Sequence, residues 1–233
     1  MTETEEIAKA VQSVADFGTE SVKASQKVGG FFAKVFKEPA QEVSGLITDK
    51  LRFVRWKRLL QMSDDVNKIL EGKGIDETRG VPPKIALPIF EDSSLEDDSD
   101  LRSLWNHLLA NAMNPEFNDE IRYGFIEIIK NITGREALIL KLFYKSLSAQ
   151  GKLTKLEEVT NYSIDKEQLC KKLEMSLVDY SISAYNLIRT QCIAPAIIKG
   201  AMSFGDHQAT VYKGIDAITI TPLGVKFVEA CMK

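Results

Sequence analysis

The sequence predicts a mainly α fold, with an all-α N-terminal region followed by a C-terminal winged-helix-like α+β domain. Apolar residues recur every three or four positions through the first ~130 residues, which is typical of amphipathic helices. Beyond that point the patterns follow the order helix, helix, helix, strand, turn, strand, helix, which is the order of a winged-helix unit. We therefore predict an amphipathic helix and glycine break over 1–37, an α-helical core over 38–132 and a winged-helix-like domain over 133–233.

The composition limits the classes of protein that fit. The 233 residues are 44% hydrophobic and 27% charged, which is ordinary for a globular protein. A net charge of −3 argues against a protein that coats nucleic acid through bulk charge. Three widely spaced cysteines indicate a reducing compartment rather than a disulfide scaffold or zinc finger. An acidic N-terminus and the lack of a long apolar run predict a cytoplasmic protein.

Two helices are predicted before residue 75. Ile7, Val11, Val14 and Phe17 repeat at helical spacing, and Gly29-Gly30 breaks the pattern. A second helix is predicted from Pro39 to about Leu70, with Gly72-Lys73-Gly74 as its end. Its long apolar stripe needs a partner, so self-association through this helix is open.

Proline and polar residues mark the ends of the next helices. Pro82-Pro83 suits a loop leading into a short helix, whose length the internal Pro88 should limit. Ser94 with Asp97, or Ser99, is expected to cap the following helix, because acids and hydroxyls complement a helix N-terminus. Its buried face is expected to include Leu101, Leu104, Trp105, Leu108, Leu109 and Ala112, and Asn114-Pro115 should end it. A further amphipathic helix is predicted over 121–132.

The second half mixes helices with strands. Thr133 and Glu136 form a capping-box pattern at the start of one helix, and Ser176 with Asp179 marks another start. A helix is expected near 165–173, and the helix from Ser176 runs to about Thr190. Two β-rich stretches, 192–198 and 209–221, follow around a turn near Gly205, and Pro222 begins the last helix.

Two sets of residues are candidates for chemistry. A basic cluster interleaved with aromatics offers a surface for nucleic-acid or lipid phosphates, although a solvated helix face is the simpler interpretation; it comprises Lys50, Arg52, Arg55, Trp56, Lys57 and Arg58. Arg102 and His107 resemble the Arg-x4-6-His signature of the HEPN ribonucleases, which implies catalysis by the histidine and phosphate binding by the arginine. No motif predicts a cofactor or a metal site; the acidic run over 91–100 is better explained by helix capping.

The helix from Ser176 to Thr190 occupies the place of a winged-helix recognition helix. Its one cation is Arg189, and Asp179 lies near its start. A helix that reads the major groove brings more Arg, Lys, Asn or Gln to phosphates and base edges. The sequence therefore favours a protein-interaction or structural module over a DNA reader.

One long block resembles a known family. The residues that carry the resemblance run from the double proline to the Asn-Pro pair and comprise Pro82, Pro83, Pro88, Leu95, Asp97, Asp98, Trp105, Leu108, Leu109, Asn111, Met113 and Pro115. Together with 51–57 and 220–227, they resemble the abortive infection alpha (Abi-alpha) family of bacterial antiviral defence. The resemblance implies a role in which an infected cell halts growth or dies before phage matures, and it implies packing roles for these residues. It carries no catalytic residue.

These observations lead to one hypothesis and three alternatives. The leading hypothesis is a non-enzymatic, cytoplasmic phage-defence protein that acts through contacts with a protein partner or a phage trigger. The alternatives are a membrane-active effector using the N-terminal amphipathic helices, a ribonuclease using Arg102 and His107, and a winged-helix DNA-binding regulator. Nucleic acid is the less expected partner, and a membrane surface and self-association stay open.

Overall fold

The computed structural model describes residues 27, 30–37, 53–151, 159, 161–204, 207–212 and 214–233. Side chains are described for all of these except 53–56 and 197–212. The described chain is mainly helical, with a small antiparallel sheet near the C-terminus. The helix predicted from Ile7 to Phe17 and the first part of the predicted long helix, 39–52, lie outside the described residues. Among the described helices, none is both long enough and apolar enough to cross a bilayer.

Two compact units make up the chain. The first contains residues 1–95 and 112–118, and the second contains 96–111 and 119–233. The domain boundaries predicted after residues 37 and 132 come from sequence patterns and not from spatial contacts. They stay a prediction.

The first unit contains helices α1 (Phe53–Gly72) and α2 (Pro83–Ser93) and a helical stretch over 30–36. The end of α1 is as predicted, because Gly74 adopts a positive φ of 70° that favours glycine. Pro83 begins α2, and Pro82 precedes it in extended conformation, so the double proline leads into this helix as predicted. The ring of Phe90 packs against three other phenylalanine rings. Their centroids lie 4.6–6.1 Å from the Phe90 centroid, and they belong to Phe31, Phe32 and Phe36.

Pro88 does not end α2, which continues for five residues to Ser93. A proline inside a helix removes the hydrogen bond to the carbonyl four residues earlier. Here that carbonyl belongs to Lys84, an exposed residue. The turn that follows Pro88 buries Ile89 and Phe90, and this burial stabilises the helix beyond the proline.

The second unit contains helices α3 (Ser99–Met113, whose last two residues belong to the first unit), α4 (Tyr123–Asn131) and α5 (Gly134–Ala149). The cap of α3 differs from the expectation. Asp98 caps it, because its Oδ1 accepts hydrogen bonds from the amides of Asp100 and Leu101 at 2.8 and 3.2 Å. Ser94 instead donates to the Glu91 carbonyl at the end of α2.

The rest of the second unit runs β1 (Ser163–Asp165), α6 (Lys166–Leu173), α7 (Leu177–Arg189), β2 (Ile193–Pro195), β3 (Ile197–Phe204), β4 (His207–Tyr212), a 3-10 turn, β5 (Ala217–Ile220) and α8 (Pro222–Met232). Strands β1, β5 and β2 form an antiparallel sheet in that order, with Ser163 opposite Thr219 and Ile193 opposite Ile220. Strands β3 and β4 pair in a separate antiparallel hairpin.

The β-rich stretches were predicted in the right places, but each contains two strands. Residues 192–198 include all of β2 and the start of β3, and 209–221 include most of β4 and all of β5. Sequence patterns did not predict β1, because its three residues are too few for an alternating pattern. The helices predicted near 165–173, from Ser176 and from Pro222 are confirmed, as is the Thr133–Glu136 capping box.

The last helix lies close against the turn between α7 and β2. Thr221 caps α8 by accepting a hydrogen bond from the Gly224 amide at 3.0 Å, and its hydroxyl donates to the Gln191 carbonyl at 2.6 Å. Gly224 faces the backbone of this turn: a Cβ at this position would overlap the carbonyl oxygen of Cys192 and lie 2.8 Å from Ile220 Cγ1. The backbone of α8 therefore approaches the turn more closely than any side chain at position 224 allows.

We expect Gly224→Ala to lower the free energy of unfolding by about 2–3 kcal/mol, because the methyl group must push rigid backbone away. The measurement is chemical denaturation of the variant and the wild type. Gly124→Ala is the matched control, since Gly124 lies in the first turn of α4 with no atom within 4 Å of an added Cβ. That control should be neutral or more stable by about 0.5–1 kcal/mol. Equal effects of the two substitutions would contradict the close approach.

Candidate functional site

Helix α7 begins at a well-formed cap. The Ser176 hydroxyl accepts a hydrogen bond from the Asp179 amide at 3.1 Å and donates to the Asp179 carboxylate at 2.8 Å. This hydrogen bond, together with the Arg135 guanidinium 3.2 Å away, lowers the pKa of the Asp179 carboxyl. The acid is therefore held ionised at the positive end of the helix dipole, as the sequence pattern predicted.

The inward face of α7 is fixed by polar contacts as well as by packing. Tyr180, Ala184 and Leu187 are buried. The Tyr180 hydroxyl donates to the Ile215 carbonyl at 2.5 Å, and burial raises the pKa of that phenol well above its usual range. Asn186 donates to Glu136 Oε2 at 2.8 Å, so the capping-box carboxylate of α5 also holds α7.

The outward face of α7 is apolar and exposed. Leu177, Val178, Ile182 and Tyr185 have exposed fractions of 60%, 68%, 64% and 62%. Val178, Ile182 and Tyr185 follow the spacing i, i+4, i+7, so they form one stripe along the helix. We call these four residues the α7 face. Exposed apolar residues grouped in this way mark interaction sites more often than scattered ones do.

Charged residues lie at the two ends of the α7 face. Arg189, in the last turn, donates to the amide oxygens of Asn186 at 2.7 Å and Asn131 at 3.3 Å, and no carboxylate pairs with it among the described residues. Glu174 precedes the helix in a left-handed conformation with φ of 49° and is exposed. The face thus has an acid before its first turn and a cation in its last.

A second feature of the same unit is a cleft of about 200 Å³ between α3, α5 and the end of α8. Its lining residues are Asp100, Ser103, Leu104, His107, Gly134, Ala137, Leu138, Lys141 and Met232. His107 Nδ1 lies 2.8 Å from the Ser103 carbonyl oxygen, which can only accept, so Nδ1 carries the proton and Nε2 is the basic nitrogen. An acidic residue, Asp100, and a basic residue, Lys141, both line the cleft. Its volume is smaller than that of typical ligand pockets.

The cleft contains one residue of the HEPN-like pair. His107 lines it, and Arg102 is not one of its lining residues. Both are partly exposed on α3, and five positions of an ideal helix lie ~140° apart. The assignment of this pair to RNA cleavage stays a prediction.

The basic cluster is only partly described. Lys50 and Arg52 lie outside the described residues, and Arg55 and Trp56 belong to α1 without described side chains. Lys57 is exposed and Arg58 is partly exposed. The assignment of this cluster to phosphate binding stays a prediction.

Most of the motif residues of α3 are buried. Trp105, Leu108, Leu109 and Met113 have exposed fractions of 1% or less, whereas Leu95 is 59% exposed. Asn111, also buried, donates from Nδ2 to the Ala230 carbonyl at 2.8 Å and to the Lys233 carbonyl at 3.2 Å. It thereby satisfies carbonyls at the C-terminus of α8 that no helical amide reaches. This tertiary cap was not predicted, because its partner lies 119 positions away.

Sequence reasoning also missed the α7 face and the cleft partner Lys141. The i, i+4, i+7 spacing of Val178, Ile182 and Tyr185 is visible in the sequence. The opposite side of the helix carries Tyr180, Ala184 and Leu187, which have the same spacing. Periodicity alone therefore does not show which of the two sides is buried. Among the described residues no cluster of His, Cys, Asp and Glu could hold a metal ion.

The fold and the site define a mainly helical protein with a small C-terminal antiparallel sheet and an exposed apolar helix face. A family model described as abortive infection alpha matches residues 55–231, which is most of the chain. The chain therefore belongs to the abortive infection alpha family, as the resemblance predicted, and the family suggests a role in phage defence. No significant match was found among curated proteins or among solved structures.

The three thiols should differ in reactivity. Burial raises the pKa of Cys192 to about 11 and the pKa of Cys231 well above its usual value, whereas Cys170 is partly exposed. Because the thiolate is the nucleophile, we expect a thiol reagent at pH 7.5 to label only Cys170 in the folded protein. Mass spectrometry of the labelled protein measures this. Denaturant should make all three sites react, and rapid labelling of all three in native buffer would contradict the packing.

Proposed function

We propose that this protein is a cytoplasmic, non-enzymatic phage-defence protein that acts through protein contacts made by the α7 face. The observation that carries the proposal is the exposure of Leu177, Val178, Ile182 and Tyr185 on a helix whose other side is firmly anchored. A protein gains no folding stability by leaving such residues exposed, whereas a partner that covers them gains the hydrophobic contribution. Membership in the abortive infection alpha family supports the defence role.

We further propose that residues 133–233 form a winged-helix domain, next to an α-helical core over 38–132 and an N-terminal segment over 1–37. The element order α5, β1, α6, α7, β2, hairpin, β5 supports the winged-helix assignment, as does the strand order β1-β5-β2. In this assignment the β3–β4 hairpin is the wing and α7 is the recognition helix. The Thr133 cap at the start of α5 supports a boundary near that residue.

The chemistry of α7 favours a protein over DNA as its partner. A helix in the major groove needs cations and amides at its exposed positions, and the α7 face presents three aliphatic side chains and a tyrosine. Arg189 is the one cation of this helix. Phosphate contacts supply most of the affinity for DNA, so this face would bind DNA weakly.

A ribonuclease is the second candidate, because His107 lines a cleft with Lys141 and Asp100. Its Nε2 is the basic nitrogen, which suits a general base, and Lys141 would provide a cation for phosphate. Arg102, the other half of the predicted pair, would bind or stabilise phosphate.

The function is tested by phage challenge of bacteria that express each variant, at low and high multiplicity of infection. Abortive infection predicts survival at low multiplicity and collapse at high multiplicity. We expect Ile182→Glu to abolish protection, because a charge on the α7 face opposes contact with an apolar partner. Leu95→Glu is the matched control, since it places the same charge at a residue of similar exposure, 59% against 64%.

Arg102→Ala/His107→Ala should protect as well as the wild type does. Loss of protection in this double variant, with a normal circular dichroism spectrum, would refute the non-enzymatic proposal, and RNA integrity in infected cells would then test the ribonuclease. A folded Ile182→Glu variant that protects like the wild type would refute the role of the α7 face.

A further inference from the structure

We propose that the occupant of the α7 face is a second copy of this chain, bound through an antiparallel pairing of the two α7 helices about a two-fold axis. This inference deepens the proposed function and rests on it. Three observations support it: the area of the face, the placement of its charges and the pattern of its apolar residues.

The area of the face fits a symmetric dimer. The four residues of the face expose on the order of 400 Å² of surface. A standard interface buries about 800 Å² on each partner, of which roughly 56–65% is apolar, or about 450–520 Å². The face thus provides most of the apolar centre of one standard interface, and the polar residues around it provide the rim.

The charges at the ends of the face complement themselves when two copies run antiparallel. Arg189 pairs with no carboxylate among the described residues, and no ion pair involves Glu174 there. A two-fold axis places the N-terminal end of one α7 beside the C-terminal end of the other. Each Arg189 then lies near Glu174 of the other copy, and both unpaired charges gain a partner.

The apolar pattern has the same symmetry. With the axis between Ser181 and Ile182, Val178 of one copy lies opposite Tyr185 of the other, and the two copies of Ile182 lie side by side at the axis. Glu174 precedes the first turn of α7, so it lies towards the last turn of the other copy, which carries Arg189. One choice of axis therefore brings the apolar stripes together and the acid of one copy towards the cation of the other. A parallel arrangement places Arg189 beside Arg189, which is unfavourable.

Other occupants predict different behaviour in solution. A segment of the same chain that covers the face leaves the protein monomeric, and so does an unrelated protein partner. DNA as the partner also requires no dimer through this face, since apolar residues at the centre of a dimer interface are unavailable to the groove.

The test is the molar mass of the full chain by sedimentation equilibrium from about 1 to 100 μM. The proposal expects twice the protomer mass of 26.0 kDa at the higher concentrations. Ile182→Glu should raise the dimer dissociation constant at least ~30-fold, the effect of losing a central interface residue. Leu95→Glu should leave it unchanged. A monomeric wild type, or a dimer that persists in Ile182→Glu, would overturn the proposal.

A charge exchange tests the antiparallel arrangement. Glu174→Arg and Arg189→Glu should each weaken the dimer, because each places like charges opposite one another. The double variant restores the pair with its sign reversed, so it should recover most of the wild-type dissociation constant. Additive weakening in the double variant would overturn the antiparallel pairing. Circular dichroism of every variant confirms that the chain is folded.

The outcomes separate this proposal from the proposed function. If the wild type is monomeric but Ile182→Glu still abolishes protection against phage, the dimer is refuted and the α7 face acts on another protein. If Ile182→Glu is monomeric and protects fully, the dimer stands and the role of the face in defence is refuted.

Discussion

The close contact between α8 and the turn that joins α7 to β2 is the constraint on which the C-terminal part of the structure depends. Gly224 allows the backbone of α8 to lie against the Cys192 carbonyl, and Thr221 donates to the Gln191 carbonyl in the same turn. Because this turn directly follows α7, the contact also holds the end of α7. At its other end α8 is held by Asn111, whose amide meets the last carbonyls of the helix. The helix thus ties the end of α7 to α3 within one unit.

Local patterns predicted what local chemistry determines. The caps at Thr133 and Ser176, the helix start at Pro222 and the end of α1 near Gly72 are confirmed, because each depends on residues only a few positions apart. The helix that follows Pro82-Pro83 is short, as predicted, with Pro88 inside it. The cap of α3 was predicted at Ser94 or Ser99 and lies at Asp98, because aspartate and serine cap helices about equally well.

Contacts between residues far apart in the sequence could not be predicted from local sequence patterns. The three residues of β1 form a strand because β5 offers them a partner 50 or more positions away, and no local signal carries that pairing. The same holds for Asn111. Within α7 both sides of the helix are apolar, so periodicity does not distinguish them. The contacts of Tyr180 and Asn186 decide which side is buried.

The anchoring of α7 has a consequence for how this protein can evolve. Its inward side and its polar ties to α5 hold the helix in place, and the exposed residues contribute little to folding. Substitutions at Val178, Ile182 or Tyr185 therefore change the chemistry of the exposed surface while leaving the fold nearly as stable. This separation lets the surface diversify on a scaffold that stays constant.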